Sequence, residues 1–263
     1  MLVAGCDVGS LTGKALIMED GVILSSSIVP TTPRPWKTAE NAMEAALQKA
    51  GLALADVAYI VSTGYGREKV PFAKGNVTEI TCHGRGAYWL APTVRTVIDM
   101  GGQDCKVISL DDDGNVADFR MNDKCAAGTG RFLEVMAKAL GLELDELGSV
   151  SLHSKSPANI TSQCSVFAES EVITLIAEGT ELPDIVAGIH KAIASRLTSM
   201  VKGINPRKDF MLTGGVAKNA GVFKFLEDAL GEIKRVSLDP QVVGALGAAL
   251  IARKRLQKNG YRR

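Results

Sequence analysis

Cys125 and Cys164 are the residues whose type and setting most directly suggest chemistry. Cys125 lies in Asn122-Asp123-Lys124-Cys125-Ala126-Ala127-Gly128-Thr129-Gly130-Arg131, and Cys164 in Ser162-Gln163-Cys164-Ser165-Val166-Phe167-Ala168-Glu169. Each precedes an apolar helical repeat, which predicts that each stands at a helix N-terminus. Backbone N–H groups there favour a thiolate, the form that binds metal. One chain supplies two such ligands, whereas an iron–sulfur cluster usually takes four. A twofold dimer presents every residue twice and would complete the set. Taken alone, the two are equally well read as core thiols, since neither belongs to a Cys-x-x-Cys.

A second group of residues suits phosphate. Asp7-Val8-Gly9-Ser10-Leu11-Thr12-Gly13-Lys14 is followed by Asp20-Gly21, and Asp99-Met100-Gly101-Gly102-Gln103-Asp104-Cys105-Lys106 by Asp113-Gly114. Asp, Gly and Lys fall at the same offsets in both copies. Each copy follows an apolar run, and Asp-Gly is a strong hairpin signal. Each copy therefore reads as two strands joined by a glycine-bearing turn, with a third strand after Asp-Gly. A third such turn, Thr213-Gly214-Gly215, follows Phe210 to Leu212. Glycine lets backbone N–H groups approach anionic oxygens. Carboxylates at Asp7 and Asp99 suit Mg²⁺, and Lys14 or Lys106 could neutralise phosphate. A single turn of this kind is most often a plain β-turn. Neither the P-loop pattern nor the Gly-x-Gly-x-x-Gly fingerprint is present.

Other chemistry-bearing residues have simpler readings. Cys6, Cys82 and Cys105 are expected in or beside strands as small buried hydrophobes. His83 is expected to be structural or at the surface, and His153 and His190 have no partner at metal-ligand spacing. Asp111 to Asp113 reads as a hairpin turn, and Glu169 and Glu171 as a helix first turn.

These residues need elements to hold them. Pro35 to Ala50 carries a helical apolar stripe and stops at Gly51. Val57 to Val61 reads as a buried strand. Phe132, Val135, Met136 and Leu140 form one helical face after Cys125. Val172, Leu175 and Ile176 do so after Cys164, with Gly179 as C-cap. Asp184 is expected to cap a long helix striped by Ile185, Ile189, Ile193, Leu197 and Val201, ending near Gly203. The last helix, Gly244 to Leu256, opens with small residues that permit close approach. Alternating strands and helices give an α/β class, and the duplication predicts two similar lobes facing one another.

The 263 residues are enough for a sizeable core. A net charge of +1 excludes a broad nucleic-acid footprint. No apolar run spans a bilayer and no signal peptide opens the chain, so the expectation is cytoplasmic, away from membranes. Five scattered cysteines argue against a disulfide framework.

Three glycine turns in this order resemble the actin, Hsp70 and sugar-kinase superfamily of two-lobed ATPases, with ribonuclease H-like lobes. Asp7 to Leu16 and Asp99 to Val107 resemble its two phosphate motifs, and Leu212 to Asn219 its adenosine motif. Within the superfamily the chain resembles the activators of (R)-2-hydroxyacyl-CoA dehydratases and the ATPase subunits of benzoyl-CoA reductase. The likeness rests on Ser62-Thr63-Gly64-Tyr65-Gly66-Arg67, Ile98 to Asp104, Met121 to Phe132, and Val166 to Ile173, and it covers nearly the whole chain.

The resemblance implies an N-terminal lobe over residues 1–93, completed by a C-terminal helix at 244–263, and a second lobe over 94–243. It implies a homodimer with one [4Fe–4S] cluster held by Cys125 and Cys164 of each chain. ATP or ADP would sit between the lobes. Asp7 and Asp99 would organise Mg²⁺ and water. Gly9, Ser10, Leu11, Thr12, Gly13, Lys14, Gly101 and Gly102 would hold phosphate, and Gly214, Gly215, Asn219 and Gln241 the ribose and adenine. Gln103 or Asp104 would orient the attacking water. Hydrolysis would drive an electron from a donor such as ferredoxin or flavodoxin to an acyl-CoA dehydratase, or to a reductase component. Such a cluster would be oxygen-sensitive. A small-molecule kinase of the same superfamily would need a second substrate pocket and would leave both cysteines without a role. A nucleotide-dependent scaffold would bind ATP without turning it over.

Overall fold

The computed structural model describes residues 1–122, 126, 128–161, 164–258 and 260. Two five-stranded sheets repeat one plan. Leu2–Val8 (β1) pairs antiparallel with Thr12–Glu19 (β2), and β2 with Val22–Pro30 (β3). On its other side β1 pairs parallel with Tyr59–Thr63 (β4), and β4 with Gly75–Asn76 (β5). The second sheet repeats this order with Thr96–Met100 (β6), Cys105–Leu110 (β7), Val116–Asn122 (β8), Phe210–Thr213 (β9) and Ile233–Lys234 (β10). The turn between β2 and β3 is the expected Asp-Gly, with φ of 51° at Asp20 and 93° at Gly21. Positive φ at both positions is what the tight hairpin turn requires. The duplicated α/β fold read from the sequence is therefore present; β4 runs over Tyr59–Thr63 rather than Val57 to Val61, and the short edge strands β5 and β10 had no sequence signal.

Helices cover the sheets. Pro35–Ala50 (α1) packs on the first sheet through Ala39, Ala42, Met43 and Ala46, opposite Ala4, Cys6 and Val8. Val243–Lys258 (α8) covers the other face, against Val3, Leu16 and Val61. Glu79–Leu90 (α2) packs on α8, and its Ala87 also joins Val97, Ile108 and Leu110 of the second sheet. Gly130–Leu140 (α3), Glu146–Ser151 (α4), Ser165–Ala177 (α5), Leu182–Lys202 (α6) and Ala220–Leu230 (α7) lie around the far face of that sheet. Thus α2 and α8 fill the space between the sheets. Small residues permit it. A Cβ on Gly247 of α8 would run into the Cys82 carbonyl of α2, and one on Gly5 of β1 into the Ala245 carbonyl.

Several local expectations change. Cys82 lies on α2 rather than by a strand, because residues 79–90 form a helix whose small face had no strong apolar stripe to reveal it. Asp184 does not cap α6, which starts at Leu182. Its carboxylate instead accepts hydrogen bonds from Ser154 Oγ and from the N–H groups of Lys155 and Ser156. Ile176 is exposed, not part of a buried face; α5 ends at Ala177, and Gly179 closes it as expected, with φ of 79° and the Thr180 N–H bonded to the Leu175 carbonyl. Asp111 does build its hairpin turn, accepting from the N–H groups of Asp113 and Asn115. Among the described residues, no helix is long and apolar enough to cross a membrane.

Candidate active site

Strand alternation aims the first two catalytic candidates. Ala4, Cys6 and Val8 face α1, so Asp7 faces the opposite way, toward α2 and α8. Ile98 and Met100 face the α3 and α6 side, while Val97, and with it Asp99, face α2. Both carboxylates therefore point into the space between the sheets, and each is only 4% exposed. Antiparallel register sets Lys14 opposite Asp7 and Lys106 opposite Asp99. Lys14 Nζ is 3.3 Å from Asp7 Oδ2, and Lys106 Nζ is 3.5 Å from Asp99 Oδ2. The equal offsets in sequence are thus equal pairings in space.

Glycines let these groups close up. Gly64 and Gly214 follow β4 and β9, with φ of 84° and 85°. A Cβ on Gly64 would strike Asp7 Oδ1, and one on Gly214 would come within 2.8 Å of Asp99 Oδ1. The Gly64 turn is pinned by Arg67, whose Nη1 donates to the Gly64 carbonyl at 3.2 Å and to Glu79 at 3.3 Å. A Cβ on Gly102 would run into the Leu11 side chain, so the two glycine-bearing turns touch across the space.

The result is a cleft of about 660 Å³ between the sheets. Asp7, Gly9, Ser10, Leu11, Thr12 and Lys14 line it from the first copy, and Asp99, Gly101, Gly102 and Asp104 from the second. Gly214, Gly215, Asn219 and Gln241 line it too, as do Leu133, Glu134, Leu144 and Lys218. Two expected residues are not in the wall. Gly13 is buried against α1, where a Cβ would meet Thr38 Cγ2. Gln103 is exposed, because the Gly101–Asp104 turn directs Asp104 inward and its neighbour outward.

Charge in the cleft is organised around the second copy. Burial raises the proton affinity of Asp99, but His83, Lys106, the Thr213 hydroxyl and Lys14 outweigh it and hold the carboxyl below the usual range. Lys106 is depressed by burial, yet Asp99 and Asp104 hold it above the ordinary lysine value. Its Nζ is 2.7 Å from Asp104 Oδ1, so Asp104 faces the cleft paired to Lys106 through that oxygen. Asn219 caps α7 and its Nδ2 lies 3.3 Å from His190 Nε2. Burial pulls His190 down to about 3, so the ring is neutral and accepts there.

His83, expected to be structural or at the surface, is not at the surface. It is buried in the cleft wall beside Asp99. Its signal was weak: the run Cys82-His83-Gly84-Arg85-Gly86-Ala87 marks a tightly packed helix face, not a catalytic motif. Glu79, Glu134, Glu143 and Asp145 also line the cleft, and no motif marked them.

The cysteines divide as expected between buried and exposed. Cys6, Cys82 and Cys105 are buried; desolvation pushes the Cys82 thiol up to about 12 and Cys105 to about 11. Cys164 is exposed and is the N-cap residue of α5. Cys125 lies outside the described residues, and α3 starts beyond it with Thr129 as N-cap. The start of α3 is tied to the Gly101–Gly102 turn. The Gly130 N–H donates to the Gly101 carbonyl at 2.9 Å, and the Arg131 N–H to the Gly102 carbonyl at 2.8 Å.

Residues 4–252 match the BadF/BadG/BcrA/BcrD ATPase family. The chain belongs to that family. Its relatives include the activator of lactoyl-CoA dehydratase from Anaerotignum propionicum, 45% identical over 98% of this chain and 100% of that one. One subunit of the benzoyl-CoA reductase from Thauera aromatica is 35% identical over 95% of this chain and 92% of that one. A solved structure, the activator of the 2-hydroxyisocaproyl-CoA dehydratase from Clostridium difficile with bound ADPNP, matches at 42% identity. Its TM-score is 0.93, with 100% of this chain and 99% of that chain covered. A ROK hexokinase from Thermus thermophilus, 18% identical with a TM-score of 0.53, shares the fold alone over 97% of this chain and 100% of that one. This ATPase family member thus carries a cleft built by a duplicated sheet, with a carboxylate and a lysine from each copy.

The donor set fits the groups this family implies to different degrees. Two buried carboxylates facing one space, beside glycine turns, suit a magnesium nucleotide. Among the described residues no group of three or more His, Cys, Asp or Glu could hold a metal ion. A single exposed thiol at a helix start fits one corner of a cluster whose other ligands come from elsewhere.

Proposed function

We propose that the chain is an ATP-hydrolysing electron activator of an acyl-CoA dehydratase, working as a homodimer. The observation that carries this reading is the pair of hydrogen bonds from the first turn of α3 to the Gly101 and Gly102 carbonyls. They join the Gly101–Gly102 turn to α3, the helix that follows Cys125 in sequence, so a change at that turn on nucleotide exchange would reach the start of that helix. ATP lies in the cleft with its phosphates at the Gly9 to Thr12 and Gly101–Gly102 turns, and its nucleoside toward Gly214, Gly215, Asn219 and Gln241. A water oxygen attacks the γ-phosphorus, the bond to the β-γ bridging oxygen breaks, and ADP and phosphate leave. Catalysis of this kind relies on positioning and charge stabilisation. Asp7 and Asp99 would hold Mg²⁺, which would supply charge neutralisation at the phosphates, and would orient the water. Lys14 offsets charge on the transferred group, and Asp104 fixes Lys106.

Cys125 and Cys164 of two chains would hold a bridging [4Fe–4S] cluster, which supplies one-electron chemistry. Support comes from α5. Cys164 stands at its exposed start, and Val166, Phe167, Ile173 and Ile176 along it are exposed too. An exposed apolar helix beside half a ligand set is what an interface between copies requires. Loop movement on nucleotide exchange would alter hydrogen bonding and exposure at the cluster, which set its potential. The electron would come from a ferredoxin- or flavodoxin-type donor.

Iron and sulfide analysis with native mass, on anaerobically purified chain, tests the reading. The expected result is a dimer with about one four-iron cluster per two chains. Chelator removal of iron should differ between ADP and a slowly hydrolysed ATP analogue, because a ligand shifts only an equilibrium whose states it binds differently. A colourless, iron-free protein would end the electron-activator reading. The likeness to the benzoyl-CoA reductase component supports a second reading, membership of a reductase complex, which a monomeric chain with no cluster of its own would favour.

A further inference from the structure

We propose that His83 is a positioning residue for ATP hydrolysis: from α2 it fixes Asp99 of the second sheet through the hydroxyl of Thr213. The inference rests on Asp99 acting in hydrolysis.

His83 Nδ1 lies 3.0 Å from Thr213 Oγ1 and 3.3 Å from Asp99 Oδ1. Thr213 Oγ1 lies 3.0 Å from that same Asp99 oxygen. All three side chains are buried, with His83 at 5% and Thr213 at 0% exposure. A hydroxyl has one proton to give, and an ionised carboxylate only accepts. The Thr213 proton therefore goes to Asp99, and Thr213 Oγ1 must accept from His83. That places a proton on Nδ1 and fixes the tautomer. Every donor in the chain points one way, from His83 through Thr213 to Asp99 Oδ1. Lys106 holds the other oxygen, Oδ2. The carboxylate is thus gripped at both oxygens and cannot turn about its χ2 axis without breaking a buried hydrogen bond.

The grip comes from a helix that touches both sheets. The Nε2 edge of His83 faces the start of α8, where a Cβ on Gly244 would come within 2.9 Å of Nε2 and 3.2 Å of Asp7 Oδ2. His83 therefore sits between the two carboxylates, one from each copy. The first copy shows what is special to the second. Thr63 stands opposite Asp7 in register as Thr213 stands opposite Asp99. There no imidazole meets the threonine: Thr63 Oγ1 is buried and makes no hydrogen bond to a described residue. Of the two carboxylates, Asp99 is the one anchored by a strong donor reaching in from α2.

MgATP turnover and ADP-binding calorimetry on the intact chain test this, with Asp99→Asn as reference. Hydrogen bonds to charged groups are worth enough that His83→Ala should lower kcat by about ten- to a hundredfold. KM and ADP affinity should stay within about threefold, because the lost contact orients a reacting group rather than binding substrate. His83→Asn, whose amide N–H can replace Nδ1–H, should recover most of the rate. Thr213→Val should match His83→Ala, and the double variant should be no slower than the poorer single, since both break one relay. Should His83→Ala fail to fold, Thr213→Val and His83→Asn carry the same comparison. A slow Asp99→Asn with a fully active Thr213→Val, or independent losses that multiply, would overturn the role of His83. A fully active Asp99→Asn would instead overturn the hydrolytic site itself.

Discussion

At the scale of residues, the site is two buried carboxylates with unequal support. Asp7 has one lysine at 3.3 Å, while Asp99 has Lys106, Thr213 and His83. Asp7→Asn and Asp99→Asn should each reduce ATP turnover by roughly 10²–10³, the usual effect of deleting a positioned charge, with ADP binding retained by calorimetry. Asp99 also predicts a pH effect. Its folded-state proton affinity is depressed by its partners despite burial. The stability it contributes is therefore present above the unfolded value of about 3.9 and lost as pH falls through the lower folded value. Thermal unfolding from pH 5 downward should fall less steeply in Asp99→Asn than in the parent; parallel curves would contradict the ion pairing. The thiols separate as clearly. With Cys6, Cys82 and Cys105 buried and Cys164 exposed, alkylation of native, iron-free chain should modify Cys164 well before those three. Iron content should vanish in Cys125→Ser and Cys164→Ser and persist in Cys6→Ala, Cys82→Ala and Cys105→Ala.

At the scale of elements, close packing of α2, α8 and β1 positions the carboxylates. Gly247→Ala places a methyl against the Cys82 carbonyl, so it should lose about 1–3 kcal/mol of stability, the cost of overpacking a filled interface. Turnover should fall with it, since α2 carries His83. Gly51→Ala is the contrast. Gly51 ends α1 at φ 67° with open space around it, so the cost is about 1–2 kcal/mol of backbone strain with unchanged turnover. Chemical denaturation and steady-state kinetics on both variants read this out. These elements also show what the sequence could and could not disclose. The hairpins were legible because Asp-Gly fixes a turn and strand alternation fixes a face. Helix α1 was legible from its stripe and Gly51. Helix α2 was not, because Cys82, Gly84, Gly86 and Ala87 are small rather than apolar in period, and close approach to α8 depends on residues far along the chain. For the same reason His83 looked incidental. Its partners Thr213 and Asp99 are distant in sequence and adjacent only after both sheets form. Gln103 and Asp104 could not be told apart until the turn showed which one faces inward.

At the scale of the whole molecule, the two sheets meet through α2, α8 and the contact of Leu11 with Gly102, while α5 turns an apolar side outward. Phe167, 66% exposed, is the natural probe of that side. Phe167→Asp should shift the protein from dimer to monomer in sedimentation velocity and lower its iron content, because charged groups are poorly tolerated in an interface core. Nucleotide binding should survive, since the cleft is complete within one chain. A dimer that keeps its mass and iron would place the interface elsewhere.

The return of the last helix to the first sheet has a consequence for biosynthesis. Val3, Leu16 and Val61 are made early, but their cover, Ala245 to Leu256 on α8, follows some 180 residues later in the chain. Chains emerge at about 5–20 residues per second. One face of the N-terminal sheet therefore stays bare for roughly ten seconds or more while some 180 further residues are translated. During that interval the nascent chain offers an apolar sheet to chaperones or to its neighbours. Ribosome-stalled chains halted before residue 243 should be protease-sensitive in the first sheet, and chains released with α8 should not.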